Sequence, residues 1–135
     1  MKFTRPIKDV WYITVGFRAW YFLGRHTGID LRTKCPKHPD GIGTPVYACA
    51  NGEWVQSKVE QGYGLNVIIK HSEGFTSRYA HLSKSVFKPG YIKVKQGDII
   101  GYSGSSTGGS NTSTGPHLHW EVKQNGKLVN PLNYL

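Results

Sequence analysis

Short apolar runs, several alternating with polar residues, follow one another along the chain and are cut by turn signals. No stretch holds the 3.6-residue period of an amphipathic helix. The pattern predicts strands over residues 11–17, 45–50, 53–59, 65–71, 75–81, 99–103 and 118–123. Asn51-Gly52 is the strongest hairpin cue, because both residues tolerate positive φ, and Glu73-Gly74 and Asn125-Gly126 are further turns. Many short strands with frequent turns point to an all-β, mainly antiparallel fold, a sandwich or barrel-like sheet with little helix. No repeat, linker or shift of composition divides the chain, so residues 1–135 read as a single domain.

Composition narrows the class. At 135 residues with 38% hydrophobic residues and 17 glycines, the chain can bury a core without help from metals or disulfides. Disorder, collagen and a disulfide scaffold are excluded, the last because there are only two cysteines. Cys35 and Cys49 could form one disulfide or stay as two thiols, and Cys35-Pro-Lys-His38 reads as an ordinary loop, since no second ligand pair accompanies it. The most apolar stretch, 11–24, is interrupted by Arg18 and is too short to span a membrane. Lys2, Arg5 and Lys8 resemble the start of a signal peptide, but no Ala-x-Ala-like cleavage site follows, so export by another route or a signal outside this chain is expected. The net charge of +9 favours polyanions. The basic residues form no run and no nucleic-acid motif is present, so a specific nucleic-acid partner is not expected.

The candidate chemistry lies in six histidines, at positions 26, 38, 71, 81, 117 and 119. On a strand over 118–123, His117, His119 and Glu121 share one face while Leu118, Trp120 and Val122 share the other. Two imidazoles two residues apart can converge on one small site. His26 and Asp30, four apart around Gly28, fit a loop entering a strand, and both are good zinc donors. At the end of strand 75–81, alternation puts Tyr79 and His81 on one face and Ala80 and Leu82 on the other. The segment 101–115, rich in Gly, Ser and Thr, reads as a flexible surface loop that delivers the chain to His117.

In order along the chain, HTGID (26–30), GTPVYA (43–48), YGLNVII (63–69), RYAHL (78–82), VKQGDIIG (94–101) and GPHLHWEV (115–122) resemble the lysostaphin/LytM-type zinc endopeptidases, peptidase family M23. The resemblance covers most of the chain, with a motif core over about 25–123. It implies a lysostaphin/LytM-like β-sheet domain in which His26, Asp30 and His119 are the zinc ligands. His81 and His117 are the matching pair of catalytic histidines. Three protein ligands leave a position for water, and one Asp with two neutral His leaves the site at net +1 with Zn²⁺, which favours hydroxide. His38 and His71 match no ligand and read as surface or loop histidines. Tyr12 and Tyr21 precede His26 as candidate oxyanion donors, but a place in the core or groove is expected for each. Two segments depart from the family pattern, a longer loop before His117 and an inserted stretch over 32–42; both bear on substrate choice.

These readings converge on a zinc endopeptidase acting at the bacterial cell wall, secreted, periplasmic or virion-associated. Its substrate is the peptidoglycan peptide, cut at an interpeptide bridge or stem crosslink, with anionic wall polymers and a larger phage or cell-wall assembly as further partners. The rival from another class is a non-catalytic, zinc-containing module that binds wall material or scaffolds a partner. A nucleic-acid-binding β domain is the third and weakest reading, resting on charge and 13% aromatics alone.

Overall fold

A computed structural model describes residues 1–21, 24–107 and 115–135. The strands are β1 (Ile13–Val15), β2 (Trp20–Tyr21), β3 (Gly24–Arg25), β4 (Ile29–Leu31), β5 (Pro45–Tyr47), β6 (Gly52–Glu60), β7 (Gly64–Lys70), β8 (Phe75–Ser85), β9 (Lys93–Val94), β10 (Ile99–Ser103), β11 (Leu118–Gln124) and β12 (Lys127–Val129). A 3-10 turn, Pro131–Tyr134, follows, capped by the Asn130 side chain on Leu132 N–H. Every pairing is antiparallel, as the short strands and turn residues predict. Among the described residues no helix is long and apolar enough to cross a membrane.

One ten-stranded sheet runs β1-β4-β11-β8-β7-β6-β9, and β2 with β3 forms a separate ribbon. Strand β8 organises it. Along its first part β8 pairs with β7 and β11, and along Leu82–Ser85 it pairs with β10, which in turn pairs with β5. The core fills with Ile29, Leu31, Val46, Val67, Ile69, Tyr79, Leu82, Ile100, Leu118, Trp120 and Val122. Each such aliphatic side chain contributes about 1.5–3 kcal/mol on burial. The first ten residues form no strand, yet Phe3 and Ile7 are buried in this core. Phe3 N–H donates to Tyr134 O (2.7 Å) and Tyr47 N–H to Pro6 O (2.8 Å), which straps the segment over the β5 edge.

The turn cues divide. Glu73-Gly74 and Asn125-Gly126 close the β7–β8 and β11–β12 hairpins with positive φ throughout (58° and 78°; 50° and 80°). Asn51-Gly52 does not close a hairpin: β5 pairs with β10, and β6 pairs with β7 and β9. It forms a corner instead. Asn51 Oδ1 accepts from Gln96 N–H (2.7 Å) and its carbonyl sits 2.7 Å from His71 Nδ1, while a Cβ on Gly52 would lie 2.3 Å from Lys70 O. Asn-Gly was therefore selected here by close packing and capping rather than by a two-residue turn. Both cysteines are buried free thiols.

Candidate metal centre

The site is assembled on three adjacent strands, β4, β11 and β8. His119 of β11 stands opposite Asp30 of β4 on one side and Ala80 of β8 on the other. Alternation along β11 holds as read from the sequence. Leu118, Trp120 and Val122 enter the core, and His119 and Glu121 face the site. Gly28 permits the close approach of the loop carrying His26, because a Cβ there would lie 2.4 Å from Trp120 O. His26 to Asp30 is a loop entering β4, as expected.

Three donors converge: His26 Nε2, Asp30 Oδ1 and His119 Nδ1. The first and third lie 3.1 and 3.0 Å from Asp30 Oδ1, and one ligand atom from each residue lies within 4.8 Å of the others. Donors about 2.0–2.2 Å from a tetrahedral zinc ion stand roughly 3.3 Å apart, so this set fits zinc in kind and spacing. The opposite ring nitrogens are held from behind. His26 Nδ1 lies 3.1 Å from Gly16 O, and His119 Nε2 lies 3.2 Å from Glu121 Oε1. A carbonyl or carboxylate can only accept, so these contacts hold the proton on the far nitrogen and aim a lone pair inward.

His81 and His117 meet beside this cluster, with ring centroids 4.5 Å apart. His81 Nδ1 donates to Ser106 O (2.8 Å) and His117 Nδ1 to Gly115 O (2.9 Å). His81 therefore presents Nε2 as an acceptor, and His117 Nε2 lies 3.6 Å from Asp30 Oδ2. The route of His81 to this face corrects the sequence reading. Tyr79 and His81 do not share a face: Tyr79 is fully buried in the core, and its hydroxyl accepts from Cys49 N–H (3.0 Å). His81 takes a left-handed φ of 62°, and the β7–β8 register shifts between Leu65↔Leu82 and Val67↔Tyr79. This bulge breaks the period of two and turns the imidazole to the opposite side.

Residues 24–131 match the model of Peptidase family M23. The chain belongs to this family. The peptidoglycan DD-endopeptidase ShyA of Vibrio cholerae is 41% identical over 133 residues, 94% of this chain and 28% of that protein. Stage II sporulation protein Q of Bacillus subtilis is 33% identical over 121 residues, 90% of this chain and 39% of that protein. Among solved structures, a zinc-containing peptidase from Vibrio cholerae superimposes with a TM-score of 0.78 at 31% identity, covering 96% of this chain and 39% of that one. The catalytic domain of lysostaphin from Staphylococcus simulans does so with 0.75 at 30% identity, covering 92% and 91%. The chain spans between a fifth and two-fifths of the length of the curated relatives it matches.

In this M23 chain the donor cluster is strongly polarised. Burial opposes charge on Asp30, but hydrogen bonds with His119 and His26 overcome it and hold the carboxyl far below its usual range. Burial likewise opposes charging His119, yet contacts with Asp30 and Glu121 push it up to about 9. His81 goes the other way. Burial, only partly offset by the Ser106 carbonyl, brings it down to about 4, so it is neutral at physiological pH.

Four residues that spacing alone did not assign complete the site. Glu121 accepts from Thr27 Oγ1 (2.7 Å) and Tyr63 OH (3.0 Å) as well as from His119, and Arg78 stacks on the Tyr63 ring at 4.1 Å. Glu121 was visible as the third member of the polar face of β11. Thr27, Tyr63 and Arg78 lie inside the motifs that carry the family resemblance but were given no role there. The start of the Gly/Ser/Thr segment also differs from the expected flexible loop. Ser106 is anchored by its hydroxyl, which donates to Leu82 O (2.7 Å) and accepts from Leu65 N–H (2.9 Å). The remainder of that loop, 108–114, lies outside the described residues. Tyr12 is 61% exposed, and Tyr21 lies where its side chain is outside the description. His38 is half-buried in a turn closed by Cys35, whereas His71, expected at the surface, is buried.

Proposed function

We propose that this chain is a zinc-dependent endopeptidase that hydrolyses peptide bonds in bacterial peptidoglycan. One observation carries the reading: two imidazole nitrogens and a carboxylate oxygen converge at zinc-ligand spacing beside two further histidines, each fixed through Nδ1 to a backbone carbonyl. His26, Asp30 and His119 would hold the ion. Zinc, when bound, supplies a Lewis acid for the scissile carbonyl and lowers the pKa of a bound water. His81, kept neutral by burial and fixed by Ser106, accepts a proton at Nε2 and returns it to the leaving amine. His117, with Nε2 turned toward Asp30, steadies the charge that develops on the attacked carbonyl when that nitrogen carries a proton. The work is shared by the pair, since the two rings touch.

Relatives named as DD-endopeptidases favour the stem-peptide crosslink over the interpeptide bridge. The excess of positive charge suits attachment to an anionic wall, and a larger cell-wall or virion assembly would bring the domain there. The similarity to stage II sporulation protein Q, solved in complex with SpoIIIAH, supports the second reading, a non-catalytic scaffold.

Purified peptidoglycan, digested with and without chelator and read by mass spectrometry, separates the two. New peptide termini that vanish with chelator and return with Zn²⁺ are the expected result. Intact crosslinks from a folded, zinc-loaded protein that binds sacculi would establish the scaffold instead.

A further inference from the structure

The polar face of β4 continues past the metal centre. From Ile29 to Cys35 the chain alternates in exposure: Ile29, Leu31, Thr33 and Cys35 are buried, Asp30 is half-buried, and Arg32 and Lys34 are exposed. This period of two is that of an extended strand, so Arg32 and Lys34 project from the face that carries Asp30. At about 3.4 Å per residue they stand roughly 7 and 14 Å along the chain from Asp30. The backbone is fixed in this course. Arg32 N–H donates to Tyr12 O (2.9 Å), which prolongs the β1–β4 ladder, and Thr33 O accepts from the buried Thr44 hydroxyl (2.6 Å). Arg32 Nε donates to Lys34 O (3.3 Å), clipping the guanidinium along the strand.

Beside these side chains lies an open pocket of about 410 Å³. Val10, Pro36 and Pro39 supply stiff apolar walls, and Arg32, Lys34 and Asp9 supply its charges. Two cations against one carboxylate leave it at net +1. Among the described residues neither Arg32 nor Lys34 lies within 4.0 Å of a carboxylate, so their charge is available to a ligand. The prolines belong to the segment 32–42, which the sequence reading expects to depart from the family pattern.

The geometry points to a subsite in which Arg32 and Lys34 bind a free carboxylate of the substrate peptide, two to four residues from the scissile bond. The inference rests on the endopeptidase reading and adds to it the substrate's charge. A single net positive charge matches a monoanion, and the collinearity with Asp30 favours a group at fixed distance along one extended peptide over a diffuse wall polymer.

The test uses a matched pair of soluble crosslinked muropeptides, one with free carboxylates and one amidated, with the parent chain and the doubly neutral variant Arg32→Gln/Lys34→Gln. Both positions are exposed, so the variant keeps its core and its zinc content. The parent should show a KM about five- to tenfold lower for the acid form, the size two solvent-exposed charge contacts allow. The variant should lose that preference with kcat on both peptides within about twofold of the parent. Equal KM values in the parent, or a preference that survives in the variant, would overturn the subsite. Failure of the endopeptidase reading is distinct: the zinc-loaded parent then cleaves neither peptide. In that case equilibrium binding of the same two peptides decides, with an acid preference lost in the variant supporting the subsite and no preference overturning it. Binding to a wall phosphodiester polymer that the variant loses, without any acid–amide preference, would assign the pocket to the polymer and also overturn it.

Discussion

His119 and His71 are buried almost equally, at 6% and 5% exposure, and each uses both ring nitrogens. Their chemistry is opposite. His119 lies between two carboxylates, Asp30 and Glu121, and these outweigh the cost of burial and push it up to about 9. His71 lies between neutral partners, Asn51 O (2.7 Å) and the Ser77 hydroxyl (2.7 Å), and burial drives it below its ordinary value. The carbonyl fixes the proton on His71 Nδ1, and Nε2 lies against the Ser77 hydroxyl, which contacts Tyr79 OH (2.7 Å), itself a donor to the Cys49 thiol (3.1 Å). One histidine closes a neutral hydrogen-bonded chain inside the core. The other holds a proton at a place where a metal cation can replace it. Burial alone does not make a histidine functional; the charge of its partners does.

The largest effect that separates the two regions comes from deleting the rings. His26→Ala or His119→Ala should abolish stoichiometric zinc and cut hydrolysis by at least about a thousandfold. His71→Ala should keep the zinc and instead lose roughly 2–4 kcal/mol of fold stability, from the vacated volume and the unpaired Asn51 and Ser77 groups. Metal analysis and denaturant unfolding read both quantities, and loss of zinc from His71→Ala at unchanged stability would erase the distinction. Next in size is His81→Ala. It should retain zinc and its stability while hydrolysis falls by about 10²–10⁴, the usual worth of a general base. Full activity in that variant would move the base to His117 alone.

The sequence revealed the polar half of this comparison better than the apolar half. His26, Asp30, His117 and His119 lie within two short motifs whose local geometry is regular, so spacing and period-two alternation place them correctly. His81 was legible as a residue but not in its direction, because a left-handed residue in a bulge is set by the register of β7 against β8 and by the Ser106 carbonyl 25 positions away. His71 was misplaced for a related reason. Its partners Asn51 and Ser77 come from separate elements, and nothing in a single histidine at the end of a polar-flanked strand announces them. Strand β4, only three residues long, was read as the strand that the His26–Asp30 loop enters but given no bounds, because its pattern is too short to stand out from the loop around it. The fold class survived these errors because turns and short apolar runs recur along the whole chain and do not depend on any one pairing.

The smallest effect sharpens the comparison through pH, in the metal-free chain. His119 binds its proton more tightly folded than unfolded, with a folded value of about 9 against about 6.5 for an unfolded histidine. Its contribution to stability is therefore complete below about pH 6.5 and is lost as the pH rises through about 9, amounting to at most about 3 kcal/mol. His71 binds its proton less tightly when folded. Its contribution is present above about pH 6.5 and is lost as the pH falls from there through its folded value. Metal-free protein should thus weaken on both sides of neutrality, with His119 setting the alkaline limb and His71 sharing the acid limb with His81, Asp30 and Glu121, all held below their ordinary values. His71→Phe should therefore reduce the acid limb without removing it and leave the alkaline one. Zinc should flatten the alkaline limb, because the ion takes the place of the proton on His119 Nδ1. The same exchange predicts about one proton released per zinc bound near pH 7.5, measurable by calorimetry in buffers of different ionisation enthalpy. Zinc binding with no proton release at that pH would mean that the His119 ring is already neutral between Asp30 and Glu121, and the contrast with His71 would then be one of geometry rather than of charge.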